Sequence, residues 1–503
     1  MASKSSLRPH RLRAFVNGRD QALATTAGAG TRARHLIDPT NNTPHSFYES
    51  TTPIEIRDAL QVSSDAQRKW KLEAPAIRSR ILRQAADIIL QNEEHLSNLE
   101  TLDTGRPIRE TQFDVHDGAE CLYYYSGVAN TLGGSSYEMP GGSLAYTIRE
   151  PLGVTVGIGA WNYPLQSALW KSAPALAFGN SIVFKPSEFT PSTALWLGQC
   201  YKEAGLPDGL FNVILGAKDV GAELVQSDLV SKVSFTGSAE SGRKVYEMAA
   251  SGMKKVTMEL GGKSPLIIFS DSDLDNAVSG AMLANWYSSG QVCSNGTRVF
   301  VHDSIADDFV DRLVKRTKKL RIGDPTNVTT DIGPMCHREQ YQKVLDYVRL
   351  GQEEGATLLY GGKEVDKSKL PDTLRDGLFL TPAIFTECND NMRIVKEEVF
   401  GMLMTILTFS DEEEVIARAN KTRFGLGAGV FTSDIQRGHR VVSRLEAGCT
   451  WINTYNVAPV QLPWGGMKGS GIGRENGEGA IESWTQLKSV YCEMNDVETD
   501  YVQ

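Results

Sequence analysis

The strongest constraint on this fold is a run of short apolar segments alternating with helical ones between residues 154 and 269. Strands are predicted at 154–158, 181–184, 212–214, 233–235, 256–260 and 266–269, with helices at 165–178, 191–204, 217–227 and 239–251. Strands separated by helices form βαβ units, which demand a parallel sheet and a doubly wound α/β domain of the nucleotide-binding type. Residues 270–460 repeat the mixture around a second sheet. Upstream, 55–104 reads as helical, with Leu82, Ala85, Ala86 and Ile89 at helical spacing and a stop near Gly105. Phe15-Val16-Asn17-Gly18 reads as a strand and turn, and 131–150 as a glycine-punctuated hairpin protruding from the body. The stretch 489–494 alternates like an edge strand seeking a partner, so hairpin and tail together predict an arm exchanged between subunits.

With 503 residues, two or three domains are expected. A net charge of -9 offers no basic footprint for nucleic acid and suits a small polar or cationic substrate. No apolar run reaches the ~18 residues of a membrane span. Lys4, Arg8, His10, Arg11 and Arg13 give the N-terminus a transit-peptide flavour, but the strand at Phe15 leaves little room for a leader. A cytoplasmic location is expected, with an organelle as the alternative. The 7 cysteines are scattered without a C-x-x-C pair, which fits a reducing compartment and neither a disulfide framework nor a metal site.

Isolated glycine signals carry little. Gly157-Ile158-Gly159 is not followed by a complete G-x-G-x-x-G, and Gly262-Lys263-Ser264 lacks a P-loop's upstream glycine, because Thr257 stands there. A set of longer blocks is specific. Trp161-Asn162-Tyr163-Pro164, Lys185-Pro186-Ser187-Glu188, Phe235-Thr236-Gly237-Ser238, Glu259-Leu260-Gly261-Gly262-Lys263-Ser264-Pro265, Gly290-Gln291-Val292-Cys293, Glu398-Val399-Phe400-Gly401 and Gly473-Arg474-Glu475 follow one another in order. In these blocks the chain, from Phe15 to its end, resembles the aldehyde dehydrogenase superfamily. The resemblance implies a Rossmann-like NAD-binding domain (1–127 and 151–261), an α/β catalytic domain (262–460) and a β-strand oligomerisation arm (128–150 and 477–503). It also implies a homo-oligomer, dimer or tetramer.

The chemistry asks for these residue types. A trigonal aldehyde carbon surrenders hydride poorly, whereas a thiolate adduct is a tetrahedral alkoxide that releases it readily. Cys293, in a glycine-rich loop before a strand, is the expected nucleophile. By resemblance, the Asn162 amide and the Cys293 backbone N–H hold the alkoxide. Glu259, where a strand runs into Gly261-Gly262, is the expected base for hydrolysing the thioester. Lys171 and Glu475 match positions of proton relay or site support.

For NAD, Lys185 and Glu188 follow a strand at the sheet edge where ligands collect. A carboxylate there accepts from the adenosine ribose and repels a 2′-phosphate, favouring NAD over NADP. Gly237 and Ser238 open a helix whose amides can meet the pyrophosphate. Trp161, Leu260, Glu398 and Phe400 complete the implied coenzyme contacts. One departure is Met402, where the family usually has proline.

Tyr163, Trp170, Tyr287 and Trp464 match an aromatic box in the betaine- and amino-aldehyde branch of the family, a cage that holds a quaternary ammonium by cation–π attraction. The small Cys449 leaves room for methyl groups, and Asp114 and Asp117, with Glu120 beyond, would form an acidic entrance. The implied substrates are ω-amino and trimethylamino aldehydes such as 4-trimethylaminobutyraldehyde, betaine aldehyde and 4-aminobutyraldehyde. A semialdehyde or broad aliphatic aldehyde dehydrogenase is the alternative. The other classes weighed are a cysteine hydrolase or acyltransferase, which lacks a histidine partner here, and a non-catalytic descendant. Asp103 is a guess for a structural monovalent cation, and no metal is assigned.

Overall fold

The computed structural model describes residues 10–21, 33–497, 499 and 501; Lys4 and Arg8 of the basic N-terminus lie outside them. The predicted alternation is realised. An eight-stranded sheet runs, in spatial order, Gly471–Ile472, Lys255–Leu260, Val230–Gly237, Val154–Ile158, Ser181–Lys185, Phe211–Val213, Phe15–Val16 and Arg19–Asp20. Its five central strands are parallel. Successive strands step one way from Val154–Ile158 and then resume on its other side, so the order reverses beside that strand. A crevice opens at such a switch point, beyond the carboxyl ends of the strands. Every residue of Val154–Ile158 and Ser181–Lys185 is buried, as a parallel sheet covered on both faces requires.

The second sheet has seven strands in the order Thr357–Tyr360, Ala383–Thr386, Leu403–Phe409, Arg298–His302, Pro265–Ile268, Gly427–Phe431 and Cys449–Ile452. All neighbours are parallel except the first pair. Residues 461–476, outside all three expected domains, return to the first sheet, where Gly471–Ile472 pairs antiparallel with Lys255–Leu260.

Thr485–Cys492 pairs antiparallel along Leu144–Pro151, which in turn pairs with Ser136–Glu138. The tail strand thus starts earlier than 489 and finds its first partner within its own chain. Leu144, Tyr146, Ile148, Leu487 and Tyr491 remain exposed on this small sheet.

One expectation is refined. The helical stretch 55–104 is three helices, Pro53–Trp70, Pro75–Gln91 and Glu93–Thr104. Pro75 holds Ala74 in extended backbone and opens the second helix, which keeps it separate from the first; Asn92, which caps Ile88 O through Nδ2 at 2.8 Å, turns the chain after the second. The third stops at Gly105, whose φ of 77° is left-handed. A further helix, Ile108–Val128, and the hairpin Ala33–Asp38/Thr43–Glu49 had no clear sequence signal. Among the described residues no helix is long and apolar enough to cross a membrane.

Candidate active site

A cleft of about 1470 Å³ opens between the two large sheets and is lined by Asn162, Glu259, Cys293 and Glu475 together with Lys185, Glu188, Gly237, Ser238, Leu260, Glu398 and Phe400. Trp161, Tyr163, Trp170, Tyr287 and Trp464 line it too.

Cys293 is half-buried in the loop that leaves the 287–290 turn. Ser288 and Ser289 hold left-handed backbone at φ 53°, a strained conformation for residues with a Cβ, so the loop is fixed by its surroundings. Gly290 is packed so tightly on Gly401 and Met402 that a Cβ would come within 2.3 Å of the Gly401 carbonyl carbon. Met402 itself is buried in the core of the second sheet, so its departure from proline leaves that wall packed. Burial pushes the Cys293 thiol up to about 12, and the carboxylates of Glu398 and Glu259 add to the rise. Asn162 is buried, and its Nδ2 donates to Gln291 O at 2.9 Å, which ties the amide to the cysteine loop.

Glu259 lies at the end of Lys255–Leu260, beside Gly465, where an added Cβ would stand 2.8 Å from its Oε1. Both carboxyl oxygens are buried without a hydrogen-bond partner among the described residues. Burial first, and the neighbouring Glu475 second, hold its pKa well above the ordinary carboxylate value. Glu475 accepts from Lys171 Nζ at 2.7 Å and from Ser234 Oγ at 2.6 Å, while Lys171 also donates to Thr236 Oγ1 at 2.7 Å. Lys171 stands behind the cleft wall and not on it.

The residues of the other arm of the cleft fit a dinucleotide. Lys185, lowered to about 8 by burial, donates to Pro186 O at 2.9 Å, and the Glu188 carboxylate has no side-chain partner among the described residues. Ser238 caps the helix Ala239–Ser251 through a bond from Ser241 N, leaving that helix's first amides toward the cleft. Glu398, raised to about 7 by burial, is folded onto Gly261, where a Cβ would meet its Oε2 at 2.0 Å. Trp161 and Phe400 meet edge to face at 5.1 Å. Sequence reasoning missed Gln340 and Lys343, which line the cleft and bind this loop: Gln340 Nε2 donates to Phe400 O at 2.8 Å and Lys343 Nζ to Glu398 O at 3.0 Å. Their helix has no glycine-rich or catalytic signature to betray them.

At the substrate end Trp170 and Trp464 meet at 5.9 Å, and Tyr163 donates to or accepts from Ser288 Oγ at 2.8 Å. Three expectations change here. Asp114 lines the cleft beside Asp117, but it is 1% exposed and pairs with the buried Arg106, so its charge is balanced within the protein. Arg106 also lies 4.0 Å over the Tyr163 ring, occupying one face of that ring with a protein cation. Cys449 does not line the cleft; its thiol faces Gly465 O at 4.0 Å. Asp117 does line it, accepting from Gln166 at 2.8 Å and raised to about 6 by burial, with Glu120 exposed beyond. Phe113 and Leu283, exposed apolar residues at the mouth, and Arg106 behind it carry no motif and were not foreseen. Asp103 is buried, and Ser192 donates to its carboxylate through Oγ at 2.9 Å and N at 3.0 Å.

Comparison with known proteins agrees with this geometry. The aldehyde dehydrogenase family model matches residues 26–490. Betaine aldehyde dehydrogenases of Brucella anthropi and Mesorhizobium japonicum are 54% and 52% identical, covering 90% and 93% of this chain and 92% and 95% of their own. A Staphylococcus aureus betaine aldehyde dehydrogenase crystallised with NAD+ superposes with a TM-score of 0.93 at 37% identity, over 98% of this chain and 97% of that one. The chain belongs to the aldehyde dehydrogenase family.

Proposed function

We propose that this protein oxidises small cationic aldehydes, of the trimethylamino and ω-amino type, to carboxylates with NAD, using Cys293 as the covalent nucleophile. The observation that carries the reading is a single cleft lined by a half-buried cysteine, a buried amide and a buried unpartnered carboxyl. NAD, when bound, supplies the hydride acceptor. Lys185, Glu188, Ser238, Glu398 and Phe400, which line the cleft, would hold it, and the carboxylate of Glu188 would disfavour a phosphorylated ribose. Cys293 Sγ adds to the aldehyde carbon, and the Asn162 amide with the Cys293 N–H holds the resulting alkoxide. Loss of hydride leaves a thioester on Cys293. Glu259 then takes a proton from water, which attacks the acyl carbon and frees the thiol. Burial raises the proton affinity of this carboxyl, so its ionised form is a strong base.

The cationic preference rests on the lining. Asp117, Glu120 and four aromatic residues face the substrate end, and no arginine lines the cleft among the described residues. An anionic semialdehyde would find no counter-ion there. Betaine aldehyde, the substrate named for the relatives, fits this chemistry. The exposed apolar residues on the arm sheet support pairing with a second copy of the chain, as dimer or tetramer, and seven free cysteines support a reducing, cytoplasmic setting. A panel of betaine aldehyde, 4-trimethylaminobutyraldehyde, 4-aminobutyraldehyde, succinic semialdehyde and hexanal, each with NAD and NADP, tests the reading by NADH absorbance. Cationic aldehydes with NAD are expected to give the highest kcat/KM; a preference for succinic semialdehyde overturns the substrate class.

A further inference from the structure

We infer that the ring of His337 clamps the coenzyme cleft by packing between Phe189 and Trp161, which makes it a positioning residue for NAD and a determinant of how fast the reduced coenzyme leaves. The inference rests on the NAD reading above and deepens it. A coenzyme that is bound and released in every turnover needs its cleft held at a fixed width. The side chains that join the two walls therefore bear on both binding and release.

Four rings form a row from one wall to the other. Phe189 and the His337 imidazole stack face to face, with centroids 4.1 Å apart and planes within 3° of parallel. His337 then meets Trp161 edge to face at 5.0 Å, and Trp161 meets Phe400 in the same way at 5.1 Å. These are the arrangements that ring quadrupoles favour. The rings come alternately from the two walls. Trp161 and Phe189 follow the carboxyl ends of Val154–Ile158 and Ser181–Lys185, adjacent strands of the first sheet. His337 precedes the helix Arg338–Glu353, whose Tyr341, Val344 and Val348 belong to the core of the second sheet, and Phe400 precedes the strand Leu403–Phe409 of that sheet. Phe189, Trp161 and Phe400 line the cleft, and His337 stands behind them, so it acts on the coenzyme through its neighbours. A dinucleotide held by both Glu188 and Glu398 runs along this row.

His337 makes two kinds of contact, and they can be separated. Its Nδ1 faces the first turn of its own helix, 3.3 Å from Gln340 N and 2.9 Å from a Glu339 carboxyl oxygen. That is a cap, a task an asparagine performs as well. Its ring fills the space between Phe189 and Trp161, a task an asparagine cannot perform. Burial lowers the imidazole from its ordinary value of 6.5, with Glu339 opposing, so at pH 8 the ring is neutral. A neutral ring holds its neighbours by dispersion and quadrupole, which a phenyl ring supplies equally. The root of the clamp is fixed apart from its ring. Cys336 N, one residue earlier, donates to Gln291 Oε1 at 3.0 Å, and Gln291 O accepts from the Asn162 amide. Removing the ring therefore loosens the wall at Trp161 and Phe189 while the cysteine loop keeps its own ties.

The test uses the full chain at pH 8. NADH binding is followed by its fluorescence, and release is timed by stopped-flow displacement with excess NAD. Single-turnover NADH formation from betaine aldehyde at saturating NAD reports the hydride step. His337→Ala is expected to raise the NADH dissociation constant, the release rate and KM for NAD at least fivefold, with a change below twofold in the single-turnover rate. His337→Asn, which keeps a cap and loses the ring, is expected to behave like His337→Ala. His337→Phe, which keeps the ring and loses the cap, is expected to recover NADH affinity and release to within twofold of the parent. Parent-like binding and release in His337→Ala and His337→Asn overturn the clamp. So does a His337→Phe protein as weak as His337→Ala, which places the effect in the cap, and so does a single-turnover rate that falls as far as binding does. Should His337→Ala melt below assay temperature, the asparagine and phenylalanine variants decide. A parent protein that binds no NADH is a different failure: it removes the coenzyme reading, and the clamp with it.

Discussion

The backbones of Trp464 and Glu475 exchange both hydrogen bonds, N to O at 2.7 Å in one direction and 2.8 Å in the other. A wall of the substrate end and the acceptor of the Lys171 ion pair are therefore two sides of one short ladder. Whatever moves the aromatic wall also moves the carboxyl that faces Glu259.

Trp464→Ala is accordingly expected to do two things. Loss of a desolvated cation–π partner, about 2 kcal/mol, should raise KM for betaine aldehyde roughly 30-fold while changing KM for its neutral isostere 3,3-dimethylbutanal far less. It should also lower kcat for both, through Glu475. Steady-state kinetics with the pair of aldehydes separates the effects; an equal KM change for both would remove the cation–π role.

Glu259→Gln should slow turnover by about 10² to 10⁴-fold, as loss of a general base does. It should also stabilise the protein at alkaline pH. The folded Glu259 holds its proton well above the ordinary carboxylate pKa of 4.5, so its contribution to stability is complete below that value. The contribution falls by about 1.4 kcal/mol per pH unit as pH rises toward the folded value. Thermal melts should show the variant more stable than the parent at pH 8 and level with it near pH 4.5. A constant offset across that range would contradict a buried, proton-holding Glu259.

The free Cys293 thiol, raised to about 12, should alkylate slowly at pH 7 and about tenfold faster per pH unit above it. Glu398→Gln removes the larger of the two carboxylate charges that raise it, so the coenzyme-free variant should react faster with iodoacetamide at pH 8. No acceleration would mean that burial alone sets the thiol.

Glu188→Ala should narrow the preference for NAD over NADP about tenfold, the worth of removing one close like-charge contact. The ratio of kcat/KM values with the two coenzymes checks it, and an unchanged ratio places the discrimination elsewhere.

The parallel-sheet core was legible because its strands are apolar on both faces and its helices begin and end at clear punctuation, so five central strands fall within three residues of expectation. The motif blocks likewise placed Cys293, Glu259, Asn162 and Glu475 in one cleft. What stayed hidden depends on contacts distant in sequence. Arg106 reads as an ordinary basic residue after a helix, yet it is buried among Glu100, Glu110 and Asp114 and covers Tyr163. Asp114 looked like a surface carboxylate only because that cation was not visible. The breaks at Ala74 and Asn92 were overrun because apolar spacing continues through them, and Gln340 and Lys343 reach the cleft from a helix whose sequence shows only amphipathicity.

The most direct measurement is intact-mass and peptide-mass analysis of the Glu259→Gln protein quenched after mixing with NAD and betaine aldehyde. The acyl mass should appear on Cys293, in step with one NADH per chain, and should be absent from Cys293→Ala. NADH formed without an adduct, or an adduct mapped to another residue, would contradict the account.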